Sequence, residues 1–156
     1  MKKTLQTIVM GMFIAAAFTF LPQQVSAQQV PGPRPAYLHA LSDLRMARAY
    51  LADGWAWEPV RREDAHAIRE IDAAIREIKL AAIDDGKNLS DHPPIDTHLD
   101  WQNRFARANA LLAGAHHDLE HAEDVPSARG LRDRALLHVD EAHHTVDNAF
   151  QTARWQ

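Results

Sequence analysis

Four stretches of the chain place apolar residues at the three-and-four spacing that lines up one side of an α-helix. In the first, about residues 35–52, the stripe is Tyr37, Ala40, Leu44, Ala47 and Leu51, with Leu41 beside it. Pro35 suits the opening turn, where its missing N–H is harmless, and Asp53-Gly54 ends the segment. The second, about 63–85, carries Ile68, Ile71, Ile75, Ile78 and Ala82 and stops at Gly86. The third begins near Asp96 or Thr97, either of which can cap it, and presents Trp101, Phe105, Ala108, Leu112, Ala115, Leu119 and Ala122, with Gly114 the weak point of its interior. The fourth follows Pro126-Ser127 and carries Leu136, Val139, His143, Val146 and Phe150 to about residue 152. Trp55, Trp57 and Pro59 fall in the first connection, and Pro93-Pro94 excludes helix from the loop at 87–97. No strand-like alternation of useful length interrupts this pattern. The expectation is an all-α protein, an antiparallel up-down four-helix bundle.

The two halves echo each other at an offset of 68 residues. Ala40, Leu44, Ala47 and Leu51 correspond to Ala108, Leu112, Ala115 and Leu119, and Ala67-Ile68, Ile71-Asp72, Ala74 and Ile78 to Ala135-Leu136, Val139-Asp140, Ala142 and Val146. The matches are mostly core positions, where any two bundle helices look alike, so both duplication of a helical hairpin and coincidence fit them. The same ruler sets His143 where the first half keeps Ile75.

The N-terminal residues read differently. Met1-Lys2-Lys3 followed by the 14 apolar-rich residues Ile8 to Leu21, then Val25-Ser26-Ala27, has the three-part form of an export signal over residues 1–27. Fourteen residues fall short of the roughly 20 that span a bilayer. The expectation is a periplasmic or secreted protein, free of the membrane once the signal is cleaved, with an extended segment at 28–34 and one bundle domain at 35–156.

Removing residues 1–27 takes away Lys2 and Lys3, leaving 17 − 2 = 15 basic against 21 acidic residues, a net of −6 with neutral histidines. Nucleic acid is an unfavourable partner for such a surface. Full protonation of the ten histidines would carry −6 to +4, so mild acid alone can reverse the sign. The chain has no cysteine, which rules out disulfides and thiol chemistry.

Imidazole is both a transition-metal ligand and a group that titrates near neutrality. In His116-His117-Asp118-Leu119-Glu120-His121, His117 and His121 stand one helical turn apart, able to grip one ion together, and the core stripe sets both toward water. In His138-Val139-Asp140-Glu141-Ala142-His143-His144, the same spacing pairs His144 with Asp140, and His143 with Asp147. The phrase Ala135-Leu136-Leu137-His138-Val139-Asp140-Glu141-Ala142-His143-His144, echoed by Ala67-Ile68-Arg69-Glu70-Ile71-Asp72-Ala73-Ala74, resembles the repeating helical phrases of the small metal-binding protein family. The resemblance covers about two of the four helices and implies an exported, histidine-rich helical protein that binds divalent transition metals such as copper. Fewer histidines per helix and two long loops set this chain apart from that family. Independently of it, Met46 is the only methionine after residue 27, so imidazole and carboxylate make up the donor set, which suits Cu(II), Ni(II) or Zn(II).

Other chemistries lack their parts. Glu63–His66 and Glu141–His144 match the E-x-x-H motifs of di-iron bundles, but the 68-residue ruler maps Glu141 to position 73, about 15 Å along a helix from Glu63. Haem has no C-x-x-C-H, and Ser42, Ser90 and Ser127 have no nucleophile-elbow context. Neither a haem nor a di-iron centre is expected. If the first helix neighbours the fourth, His39 lies level with His143 and His144, and His66 level with His116 and His117 on the second and third helices. The expected function is non-enzymatic binding of divalent metal through His117, His121, His116, His143, His144, Asp140, His39 and His138, for buffering or tolerance. The alternative is an interaction or stress-protection module whose histidines act as a pH-dependent charge switch. The tryptophans of the first connection fit either a lid on the bundle end or a partner patch.

Overall fold

A computed structural model of the chain describes residues 34–52, 58–81, 85–122 and 126–155. The export signal, the cleavage site and the connection bearing Trp55 and Trp57 lie outside the described residues. Four helices form: α1 (Pro35–Ala52), α2 (Glu58–Leu80), α3 (Trp101–Glu120) and α4 (Arg129–Arg154), with no strand among the described residues. The protein is an all-α antiparallel four-helix bundle. No described helix is long and apolar enough to cross a membrane.

α1 has the expected bounds, but α2 is shifted toward the N-terminus. Pro59 is its second residue rather than part of the connection, because a proline in the first turn sacrifices no intrahelical bond. Gly86 does take up the left-handed backbone expected of it, φ 71°, but beyond the end of α2. α3 starts later than Asp96 or Thr97. Asp100 is its cap, accepting the Asn103 N–H at 2.9 Å, while Asp96 accepts the His98 N–H in a tight turn of its own.

The apolar stripes meet in one core built from Tyr37, Leu41, Leu44, Ile71, Ile75, Ile78, Phe105, Leu112, Leu119, Val139 and Val146. α1 packs mainly on α3, and α2 mainly on α4; α3–α4 and α1–α2 close the ring, leaving α1–α4 and α2–α3 as non-touching diagonals. This corrects the neighbours expected above. Arg34 lies by Ala81, Arg45 by Asp85, and Tyr50 by Asp96, so residues 85–100 climb along α1 and deliver the chain to the opposite end before α3 begins. Sixteen residues at about 3.3 Å each easily span the ~30 Å length of a twenty-residue helix. α2 and α3 therefore run in the same direction, and contact partners in each of the four packed pairs run in opposite directions.

A buried ion pair fixes that climb. Arg45 is 1% exposed and donates to both carboxylate oxygens of Asp85, at 2.6 and 2.9 Å, and to the Lys87 carbonyl at 3.2 Å. Burial works against the Asp85 charge, but the Arg45 hydrogen bond and the Lys87 N–H outweigh it and hold the carboxyl below its ordinary value.

The 68-residue ruler extends to burial and to side-chain contacts. Tyr37 and Phe105, Val60 and Ala128, and Ala81 and Ala149 join the earlier matches as pairs buried in both halves. The polar contacts obey it too. The Arg48–Asp72 pair between α1 and α2, at 2.7 Å, maps onto His116–Asp140 between α3 and α4, at 3.2 Å. His66–Thr145 maps onto Arg134–Glu77, and Glu70–His138 maps onto itself. A contact that maps onto itself marks an approximate two-fold axis through the α2–α4 face. Polar contacts, unlike core positions, are not shared by all bundles, and they favour the duplicated-hairpin reading.

Candidate functional site

On the α2–α4 face a chain of polar groups follows the interface. His138 Nδ1 donates to Glu70 Oε2 at 2.7 Å; the other Glu70 oxygen lies 3.8 Å from His66 Nε2; His66 Nδ1 is 3.1 Å from Thr145 Oγ1. Thr145 is buried, while the rings and Glu70 are half-buried. The face ends in the Arg134–Glu77 pair at 2.7 Å. These contacts follow from antiparallel register, in which positions whose numbers sum to about 210 stand opposite each other.

The same register corrects the height argument used against E-x-x-H pairing. Mapping by offset gives a symmetry mate, and across a perpendicular two-fold the mate lies at a mirrored height, not the same height. Glu63, His66, Glu141 and His144 line one cavity of about 600 Å³. Glu63, Glu141 and His144 are exposed, so this cavity opens on the outer face and not in the bundle core where di-iron sites are built.

The other candidate residues are distributed as follows. His116 sits between α3 and α4, 3.2 Å from Asp140 and 3.9 Å from Glu120. Asp140 thus reaches His116 instead of the expected His144, and His144 Nε2 accepts from Asn148 at 3.0 Å. Asp147 accepts from Asn109, not from His143. His143 is half-buried and His117 exposed, as their stripe positions predict. His117 and His121 stack with ring centroids 4.3 Å apart, and His121 Nδ1 donates to the His117 carbonyl at 2.9 Å, which leaves His121 Nε2 outward.

His39 is half-buried on α1, where it acts electrostatically on Asp118 of α3. The expected groupings of His39 with His143 and His144, and of His66 with His116 and His117, fail because each would cross a diagonal of the bundle. Among the described residues no three His, Asp or Glu side chains converge as a metal-holding group.

Three carboxyls depart upward from their ordinary range. Asp43 and Asp64, each 6% exposed, are pushed up to about 7 by burial, aided by Asp118 and Glu63 respectively. Burial also raises Asp118, against the partial offset of His39, His117 and His121. Sequence reading missed Asp43, Asp64 and Glu70. Gly114 was the available signal for Asp43: a Cβ there would stand 2.7 Å from Asp43 Oδ2, so α3 leaves out a side chain where the carboxylate meets it. Glu70 was announced by the ruler, since it is the mate of His138.

Comparison of the chain with protein-family models, with curated proteins and with solved structures found no match.

Proposed function

We propose that the protein is a non-enzymatic, exported helical module that responds to protons, a stress-protection or interaction bundle that tightens as its surroundings turn mildly acidic. The observation that carries this reading is that histidines are spread along helix interfaces against carboxylates: His138 and His66 on Glu70, and His116 on Asp140. Protonating these rings turns neutral contacts into ion pairs that join α2 to α4 and α3 to α4. Asp43 and Asp64 act in the same direction. Their folded values near 7 exceed the unfolded 3.8, so the folded state gains protons as pH falls through 7, and stability rises down toward about pH 4. The test is denaturant unfolding between about pH 8 and pH 5. The reading expects the midpoint to climb on acidification, and a flat or falling midpoint refutes it.

A second reading, divalent metal binding, is supported by the exposed His117–His121 stack and by the resemblance to the small metal-binding protein family. Two imidazoles one turn apart make half a site for Cu(II), Ni(II) or Zn(II), which water or a second molecule would complete. Calorimetric titration decides it: replacing both histidines by alanine should weaken Cu(II) binding at least tenfold, about 1.4 kcal/mol. Equal titrations for the double variant and the parent protein remove metal binding at this pair.

A further inference from the structure

Between α1, α3 and the climbing connection lies a cavity of about 490 Å³, within the range that holds small organic ligands. Asp43 and Asp118 line one end with the His117 ring beside them, Met46 and Leu111 the middle, and Tyr50 and Arg107 the other end. Gly114 and Arg107 are seven positions apart on α3, so the ends are separated by about 10 Å.

Asp43 is the unusual member. It is 6% exposed, it lines the cavity, and no hydrogen bond or ion pair joins it to another described residue, although its oxygens are not sealed from solvent as Asp64 Oδ1 is. The other deeply buried charge with a wall on the connection, Arg45, is doubly paired with Asp85. A buried carboxylate without a partner costs several kcal/mol unless it is neutralised or meets a cation. The bare Gly114 backbone gives the carboxylate its room but supplies no charge.

We propose that this cavity is a binding site for a small organic monoamine, its ammonium group held by Asp43 with Asp118 nearby and its apolar body lying against Met46, Leu111 and Tyr50. An ammonium supplies both the charge and the hydrogen-bond donors that Asp43 lacks. Arg107 at the far end makes the site asymmetric, because a second ammonium about 10 Å from the first would face the guanidinium. The site therefore selects one cationic end and an uncharged tail, and rejects diamines of matching length. It uses none of the α2–α4 histidines and no bound metal, but it shares Asp43 with the proton-responsive reading and His117 with the metal reading; the comparison of amine with alcohol, which neither reading predicts, tells it apart from both.

The experiment is calorimetric titration of the purified protein at about pH 8, above the Asp43 midpoint of about 7, with hexylamine, hexanol and hexamethylenediamine. Hexylamine should bind saturably at one per chain, with hexanol and the diamine each at least about tenfold weaker. Asp43→Asn should lower hexylamine affinity to the hexanol level. Because Asp43 has no partner to lose, this near-isosteric change should leave the helical circular dichroism intact. Arg107→Ala should narrow the gap between hexylamine and the diamine, a readout that does not depend on the first variant. Absence of saturable hexylamine binding, equal affinities for amine and alcohol, unchanged hexylamine binding in Asp43→Asn, or an unaltered diamine gap in Arg107→Ala would each overturn the proposal.

Discussion

The α2–α4 and α1–α3 faces are built from helices that the two-fold exchanges within each pair, yet they handle polar groups in opposite ways. Across α2–α4, His138 meets Glu70, His66 meets Thr145 and Arg134 meets Glu77, each at a partly exposed interface. Across α1–α3, Asp43 reaches toward α3 and meets a glycine and a cavity. The α1 side is also overlaid by residues 85–100, through Arg45–Asp85, the contact of Tyr50 with Asp96, and Leu89 packed on the core. Symmetry of backbone register therefore does not carry symmetry of chemistry. A repeated scaffold leaves each face free to be closed by paired side chains or opened into a site, and the crossover connection makes the choice by burying one face more deeply than the other.

The largest effect expected from perturbing this contrast lies at the seal of the α1 side. Arg45→Met removes one partner of a buried pair whose members are 1% and 11% exposed. Losing one partner of such a pair costs about 3–5 kcal/mol, and the lower end is expected because Lys79 remains 3.9 Å from Asp85. Urea unfolding at neutral pH measures it. A loss under about 1 kcal/mol would show that the ion pair does not hold the connection down, and the two faces would then be equally open.

Next comes the unpaired carboxyl itself. Asp43→Asn should stabilise the protein by about 2 kcal/mol at pH 8, since a shift of about three pK units sets an upper bound near 4 kcal/mol. The gain should fade as pH falls from about 7 toward 4, where the parent carboxyl is neutral in the folded state too. Asp64→Asn should follow the same course, and the two changes together should flatten the rise in stability on acidification. A destabilising Asp43→Asn would mean that Asp43 has a partner in solution, and the asymmetry between the faces would dissolve.

A smaller effect tests the geometry between Asp43 and Gly114. Gly114→Ala brings a Cβ to 2.7 Å from Asp43 Oδ2, an overpacking cost of about 1–3 kcal/mol set against a helix-propensity gain of about 1 kcal/mol. The net is a loss of about 1 kcal/mol for the single variant. In an Asp43→Ala background the clash is gone, and the same change should stabilise by about 1 kcal/mol. Equal effects in both backgrounds would place the carboxylate away from α3.

Much of this arrangement is legible in the chain, and the rest fails for identifiable reasons. Helical periodicity located Tyr37 through Leu51 and Phe105 through Leu119 on core stripes, because a 3.6-residue repeat depends only on local spacing. Ring order was not legible: it depends on whether residues 85–100 turn back at once or climb along α1, and the decisive contact, Arg45 with Asp85, joins residues 40 positions apart. The histidine groupings inherited that error. His39 was placed beside His143 through an assumed α1–α4 contact, whereas its neighbour is Asp118. Asp43 was hidden for another reason. An aspartate one position before Leu44 looks like a solvated flank until the opposing residue proves to be glycine, and only the antiparallel sum of α1 and α3 pairs 43 with 114.

The smallest effect, and the one that separates the faces by sign, is at Glu70. Its side chain is 22% exposed and is shared between His138 and His66, whose side chains are 33% and 38% exposed. Partly exposed pairs of this kind are worth about 0.2–1 kcal/mol. Glu70→Gln keeps an oxygen acceptor for the His138 N–H, so at about pH 8 the variant should match the parent protein within a few tenths of a kcal/mol. In acid, where imidazole in general takes up a proton, an amide cannot answer a charged ring as a carboxylate does, so a loss approaching about 1 kcal/mol is expected at about pH 5.5. The Asp43→Asn gain runs the other way, present near pH 8 and fading in acid. Parallel pH profiles of unfolding for the two variants therefore set the paired face against the open one. If Glu70→Gln costs the same at both pH values, protonation of His66 and His138 adds nothing to the α2–α4 contact, and the proton-responsive reading retains only the buried aspartates.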